Sequence, residues 1–147
     1  MQQPALLPLF VYGSLRKGFQ HPAYGYISRY FSLAGEGKVR GKLYDLGAYP
    51  AALPVEGDFF IRGELYRINQ PDEFGWAMAQ LDDYEGIVPE PGETALYKRE
   101  QATIYLDNGT TEQAWIYWFN GQVDERSWTG TEDLLQYMQW KNQQPPK

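Results

Sequence analysis

The stretch Tyr97–Phe119, YKREQATIYLDNGTTEQAWIYWF, holds two runs rich in β-branched and aromatic residues, Tyr97–Leu106 and Glu112–Phe119, on either side of Asp107-Asn108-Gly109. Asn and Gly tolerate the positive φ of a tight reversal, so the spacing predicts an antiparallel hairpin. The nearly unbroken apolar run Ala114–Phe119 reads as a strand covered on both faces. Earlier in the chain, Leu6–Tyr12 is an apolar run that ends at Gly13, expected to be a buried strand entering a turn. Lys38–Leu46 and Phe59–Ile68 alternate with period two and read as two more strands. Between them Gly47–Asp58, with two prolines and two glycines, is loop or a brief edge strand.

Asn69–Glu85 carries the clearest helical signal. Asn69 or Asp72 can cap it, Pro71 suits an early position, and Phe74, Ala77, Met78 and Leu81 recur at helical spacing before Gly86 stops it. Pro22–Phe31 is read as a short helix and Thr131–Lys141 as a further one, with Leu134, Leu135 and Met138 on its apolar face. The polar, Pro-rich tail 142–147 is expected to fray. Strands dominate and one strong helix interrupts them. This pattern favours an α+β domain, a mixed or antiparallel closed sheet with helices against it, over a doubly wound fold.

The chain has 147 residues, expected to form a single domain over 1–147, and 16% of them are aromatic, including 12 Tyr. Thirteen basic residues against 19 acidic ones leave a net charge of −6, which argues against diffuse binding to nucleic acid or an anionic membrane. With no Cys there is no thiolate nucleophile, disulfide framework or thiolate zinc site, and with His21 as the only His a multi-histidine metal site is excluded. Met1–Val11 lacks a charged start and is too short for a secretory signal, and no apolar run approaches ~20 residues. A cytoplasmic protein without cofactor or metal is expected.

Three places carry candidate chemistry. In the first, Asp82, Asp83 and Glu85 crowd the end of the expected helix, where unpaired carbonyls disfavour negative charge by roughly 0.3–1 kcal/mol each. Glu85 lies four residues after Leu81, so if Leu81 is core, Glu85 leans inward toward an environment that raises its proton affinity. The plainer alternative is a solvated acidic helix end paired with Lys98 or Arg99. In the second, Tyr12-Gly13-Ser14-Leu15-Arg16-Lys17-Gly18 offers little side-chain bulk at Gly13 and Ser14, so successive N–H groups can form a nest for a carboxylate. It lacks the ending of a P-loop, and an ordinary turn after a strand is the alternative. In the third, Tyr97 and Arg99 share one strand face and can anchor a polar substrate or orient Glu85, against the commoner case of a half-buried aromatic beside a snorkelling Arg.

Taken together and in this order, Val11–Gly18, Leu81-Asp82-Asp83-Tyr84-Glu85-Gly86 and Tyr97-Lys98-Arg99 resemble the gamma-glutamylcyclotransferase-like family, most closely its short members related to gamma-glutamylamine cyclotransferase. The likeness extends from about Leu9 to Phe119. It implies a small mixed β-barrel flanked by two or more α-helices, with the early turn and the acidic helix end facing one cavity. It further implies that Tyr12, Gly13, Ser14 and Leu15 bind substrate, that Glu85 is the catalytic acid/base, that Tyr97 lies at the cavity wall, and that Arg16 and Arg99 play supporting parts. Val88–Thr94 and a turn at Gly35–Gly37 are candidate covers.

The implied reaction releases 5-oxoproline from a small-molecule γ-glutamyl amine or amide. Because the substrate supplies its own nucleophile, one carboxyl group and a set of N–H donors suffice. Three other readings stand beside it. The first is a non-catalytic module of the same fold that holds an amino acid or small zwitterion. The second is an interaction domain using an exposed Trp115 or Trp118, and the third an acyl-transfer hydrolase built on Ser14, which lacks the G-x-S-x-G elbow.

Overall fold

A computed structural model describes residues 7–12, 28–46, 50–84, 97–134, 137 and 140–141, with residues 50, 83 and 84 described by their backbone alone. Among the described residues there are seven strands, β1 Leu9–Val11, β2 Phe31–Arg40, β3 Lys42–Asp45, β4 Pro50–Leu53, β5 Phe60–Ile68, β6 Tyr97–Leu106 and β7 Thr111–Phe119, together with a helix α1, Phe74–Tyr84. Five strands close a barrel in the order β1-β5-β2-β6-β7, while β3 and β4 form a separate two-stranded sheet. The ladders are antiparallel except where β7 meets β1, in parallel, at Leu9 and Trp115. The barrel is therefore mixed.

The period-two alternation sorts side chains onto two faces. Phe10, Val39, Ile61, Leu65, Ile104, Ala114, Ile116 and Trp118, drawn from all five strands, fill the barrel interior. The neighbours Leu9, Val11, Tyr66 and Tyr117 point outward, where Ala77, Met78 and Leu81 of α1 cover them. The spacing of these three residues is what seats the helix there. Each large side chain so buried contributes about 1.5–3 kcal/mol relative to its exposed state.

The hairpin forms as expected. Gly109 takes a φ of 90° and the Asn108 side chain accepts from the Thr110 N–H at 3.0 Å. Gly47–Asp58 does contain a short strand, β4, paired along β3. Other expectations are corrected. The single strand Lys38–Leu46 is broken at Gly41, where a Cβ would lie 2.8 Å from Ile61 Cδ1 and 2.9 Å from the Leu53 carbonyl oxygen. Only a glycine lets the chain cross there from barrel to second sheet. Gly35 and Gly37 sit inside β2, beside a bulge after Leu33, and not in a turn. A Cβ on Gly37 would come within 2.6 Å of the Tyr105 carbonyl oxygen, so the small residue serves close strand approach.

Neither Asn69 nor Asp72 caps the helix. A 3-10 turn, Pro71–Glu73, leads into α1, its N-cap is Gln70 without a side-chain hydrogen bond, and the Asn69 side chain accepts from Ser32 instead. In the segment expected to be helical over Pro22–Phe31, only residues 28–30 are described as helix, and Phe31 already belongs to β2. Near the C-terminus Leu134, Tyr137, Trp140 and Lys141 are helical, and the Tyr137 N–H bonds to the Asp133 carbonyl at 3.0 Å. Leu134 is buried as expected, whereas Leu135, Met138 and the tail 142–147 lie outside the described residues. Among the described residues no helix is long and apolar enough to cross a membrane.

Candidate active site

Among the described residues, Asp82 and Arg99, from two of the motifs singled out in the sequence, meet at the seam where the C-terminal end of α1 lies over β6 and β7. Leu81 is 1% exposed, so it lies on the inward face of the helix. In the last turn of α1 the Asp82 carboxylate reaches across to β6. Its Oδ1 lies 3.0 Å from Arg99 Nε and accepts a hydrogen bond from the Tyr117 hydroxyl at 2.8 Å. Arg99 and Tyr117 are register partners on β6 and β7, so the sheet itself sets their donors side by side. The Arg99 guanidinium also stacks over the Trp115 ring, 4.8 Å from its centroid.

The early motif joins the same seam. Tyr12, directly after β1, is buried and donates its hydroxyl to the backbone carbonyl of Tyr117. Tyr97 opens β6 half-buried, its ring 6.1 Å from Phe119 in an edge-to-face contact, on the same side of the strand as Arg99. Of the residues named from the sequence, Tyr12 bonds the backbone of Tyr117 and Arg99 faces Tyr117 across the ladder, while Tyr97 packs against Phe119 two residues along the same strand. Gly13, Ser14, Leu15, Arg16 and Glu85, and the Val88–Thr94 connection, lie outside the described residues.

The plainer reading of the acidic helix end is realised for Asp82, which pairs with Arg99, while Lys98 turns to Glu100 at 3.3 Å. Asp82 and Arg99 retain 16% and 26% side-chain exposure, so their pairing is only partly screened. Trp118 is 3% exposed and Trp115 half-buried, so the aromatic run is a core strand and not an open interaction surface.

Two residues were missed. Tyr117, hidden in an apolar run, is the point through which the three motifs connect. The alternation Trp115, Tyr117, Phe119 against Ala114, Ile116, Trp118 is the signal that separates its polar tip from the barrel interior. Glu64 is 6% exposed on β5, opposite Val11, and accepts from the Tyr66 hydroxyl at 2.9 Å. It sits on the outward face that α1 covers, one strand from the exit of β1.

Away from the seam, Tyr44 and Tyr137 are held protonated up to about 12. Burial is the main cause, and hydrogen bonds to Glu125 and Asp45 add to it. These contacts tie the β3–β4 sheet to the C-terminal part of the chain. Among the described residues no group of three or more His, Cys, Asp or Glu is placed to hold a metal.

Comparison with known proteins shows which family the chain resembles. Residues 9–142 match the family described as "Gamma-glutamyl cyclotransferase, AIG2-like". The chain is 38% identical over 111 residues to a Vibrio cholerae protein, covering 74% of this chain and 78% of that one, and 32% identical over 114 residues to one from Methanocaldococcus jannaschii, covering 76% and 82%. Both carry the name "Putative gamma-glutamylcyclotransferase". The crystal structure of YkqA from Bacillus subtilis superposes with a TM-score of 0.68 at 19% identity, over 95% of this chain and 44% of that one, a likeness of fold. With the expected mixed barrel in place and the match running through nearly all of it, the chain belongs to the gamma-glutamyl cyclotransferase, AIG2-like family.

Proposed function

We propose that this protein cyclises a γ-glutamyl amine or amide to 5-oxoproline and the free amine, with Glu85 as the general acid/base. The substrate's α-amino nitrogen attacks its own γ-carbonyl carbon, forming the ring C–N bond, and the bond to the departing nitrogen breaks. Glu85 takes one proton from the α-ammonium group before attack and delivers it to the leaving nitrogen as the old bond breaks, and the second proton shed by the ring nitrogen goes to the released amine, which departs as its ammonium form. The turn Tyr12-Gly13-Ser14-Leu15 holds the α-carboxylate through its N–H groups, with Tyr97 on the cavity wall and Arg16 and Arg99 in support.

The observation that carries this reading is the hydrogen-bonded path from Tyr12 through Tyr117 to Asp82 and Arg99. It ties the residue after β1, the last turn of α1 and an early residue of β6 to one residue of β7, an arrangement that supports a site shared by those segments. Family membership supports the same reaction class. The test is release of 5-oxoproline from γ-glutamyl amines by the purified protein, with Glu85→Gln losing about 10²–10⁴-fold in rate while remaining folded. A ligand bound but never consumed would instead favour the binding module of the same fold.

A further inference from the structure

We infer that two polar clasps, Tyr137 with Asp45 and Tyr44 with Glu125, set where the β3–β4 sheet stands against Tyr97, so that these four are positioning residues for the wall of the site. The inference rests on the reading of Tyr97 as that wall.

The small sheet carries apolar side chains on both faces. Leu43 and Ala52 are register partners and belong to the cluster that contains Leu134 and packs against Tyr137. Tyr44 and Ala51, the next pair, turn to the other face and form a cluster with Phe119. Tyr97 packs against that second cluster, its ring edge-to-face with Phe119 at 6.1 Å, and Tyr97 and Phe119 are register partners on β6 and β7. The sheet is thus a spacer between the C-terminal part of the chain and Tyr97. A close-packed interior passes a displacement on to its neighbours.

Each face of the spacer is gripped by a polar contact from the C-terminal part. Asp45 shares a strand face with Leu43 by the two-residue period, and its Oδ2 accepts from the Tyr137 hydroxyl at 2.6 Å and from Lys141 Nζ at 2.8 Å. On the other face the Tyr44 hydroxyl donates to Glu125 Oε1 at 2.9 Å, and Lys42 Nζ lies 3.7 Å from Oε2 of the same carboxylate. Tyr44 and Asp45 are adjacent in β3, so the two clasps act on neighbouring residues from opposite sides. Backbone contacts hold the strand independently of them. The Thr129 N–H bonds to the Leu43 carbonyl at 2.9 Å, and Tyr44 bridges to Trp128. Loss of a clasp therefore lets the sheet shift without detaching, and the shift reaches Tyr97 through Tyr44, Ala51 and Phe119.

The test incorporates 3-fluorotyrosine and follows the fluorine resonance of Tyr97, assigned through Tyr97→Phe, together with kcat and KM for 5-oxoproline release. Asp45→Ala and Tyr44→Phe should each move or broaden that resonance and raise KM roughly threefold or more, with kcat changed less than about twofold. Asp45→Asn retains an acceptor for Tyr137 and should fall between Asp45→Ala and the parent, and it serves in place of Asp45→Ala where that variant folds poorly. Arg62→Gln cuts the ion pair with Asp107, just past the far end of β6, and controls for general loosening. It should leave the Tyr97 resonance and KM at their parent values. A Tyr97 resonance or a KM that stays at the parent value in both clasp variants overturns the inference, as does an equal change in Arg62→Gln. Where the parent releases no 5-oxoproline from γ-glutamyl amines, the functional reading fails, and the fluorine resonance alone decides whether the clasps hold Tyr97.

Discussion

Tyr12 donates its hydroxyl to the backbone carbonyl of Tyr117, joining residues 105 positions apart at the point where β1 leaves the barrel. The bond connects the first family motif to the strand whose hydroxyl secures the second. A buried hydrogen bond of this kind fixes the position of Tyr12, the residue that precedes Gly13 and Ser14 of the turn proposed to hold substrate.

Tyr12→Phe keeps the ring and deletes the bond. It should cost about 0.5–1.5 kcal/mol in urea unfolding. Because Tyr12 opens the proposed substrate turn, KM for the γ-glutamyl substrate should rise more than kcat falls. An unchanged unfolding midpoint would show that the bond contributes nothing.

Leu81→Ala empties a site that is 1% exposed between α1 and the barrel. The expected loss is about 2–5 kcal/mol by thermal or denaturant melting. Activity should fall further than the folded fraction accounts for, since the same side chain seats the helix end that leads to Glu85.

Gly63→Ala and Gly75→Ala should have opposite effects. A Cβ at Gly63 would lie 2.4 Å from the Val11 carbonyl oxygen and 2.5 Å from Phe10 Cζ, and β1 backbone cannot yield, so a loss of about 1–3 kcal/mol or more is expected. At Gly75, in α1, a Cβ meets nothing within 4 Å, and alanine's better helix propensity should add up to about 1 kcal/mol. Denaturant midpoints of the two variants provide the comparison.

Stability should decline in alkaline solution between the ordinary tyrosine value near 10 and about 12. Tyr44 and Tyr137 keep their protons to about 12 in the folded state, chiefly through burial, with hydrogen bonds to Glu125 and Asp45. A raised folded-state value means the stabilisation is intact below pH ~10 and is lost as pH climbs through the folded value. Tyr137→Phe should flatten that decline in unfolding measured across the range. An equally steep decline would assign it to other groups.

Most strands were legible because their signals are local. Alternation along Phe59–Ile68, the turn at Asp107-Asn108-Gly109 and the helical spacing of Phe74, Ala77, Met78 and Leu81 each depend on residues a few positions apart. The break at Gly41 and the placement of Gly35 and Gly37 within β2 were not legible, since they follow from atoms of β4, β5, β6 and β7 that approach those glycines in space. The same holds for the helix start, where Asn69 was drawn off by Ser32 of β2.

The sequence alone determined the class of fold, the motifs that mark the family and the absence of any cysteine or second histidine for chemistry. Those properties reside in composition and short-range order. Only the tertiary structure decided that Asp82 would pair with Arg99 and accept a hydrogen bond from Tyr117, and that Tyr117 would also accept one from Tyr12. Closure of the barrel brings β1 against β7 and lays α1 over both, and no local pattern encodes which polar tips then face each other.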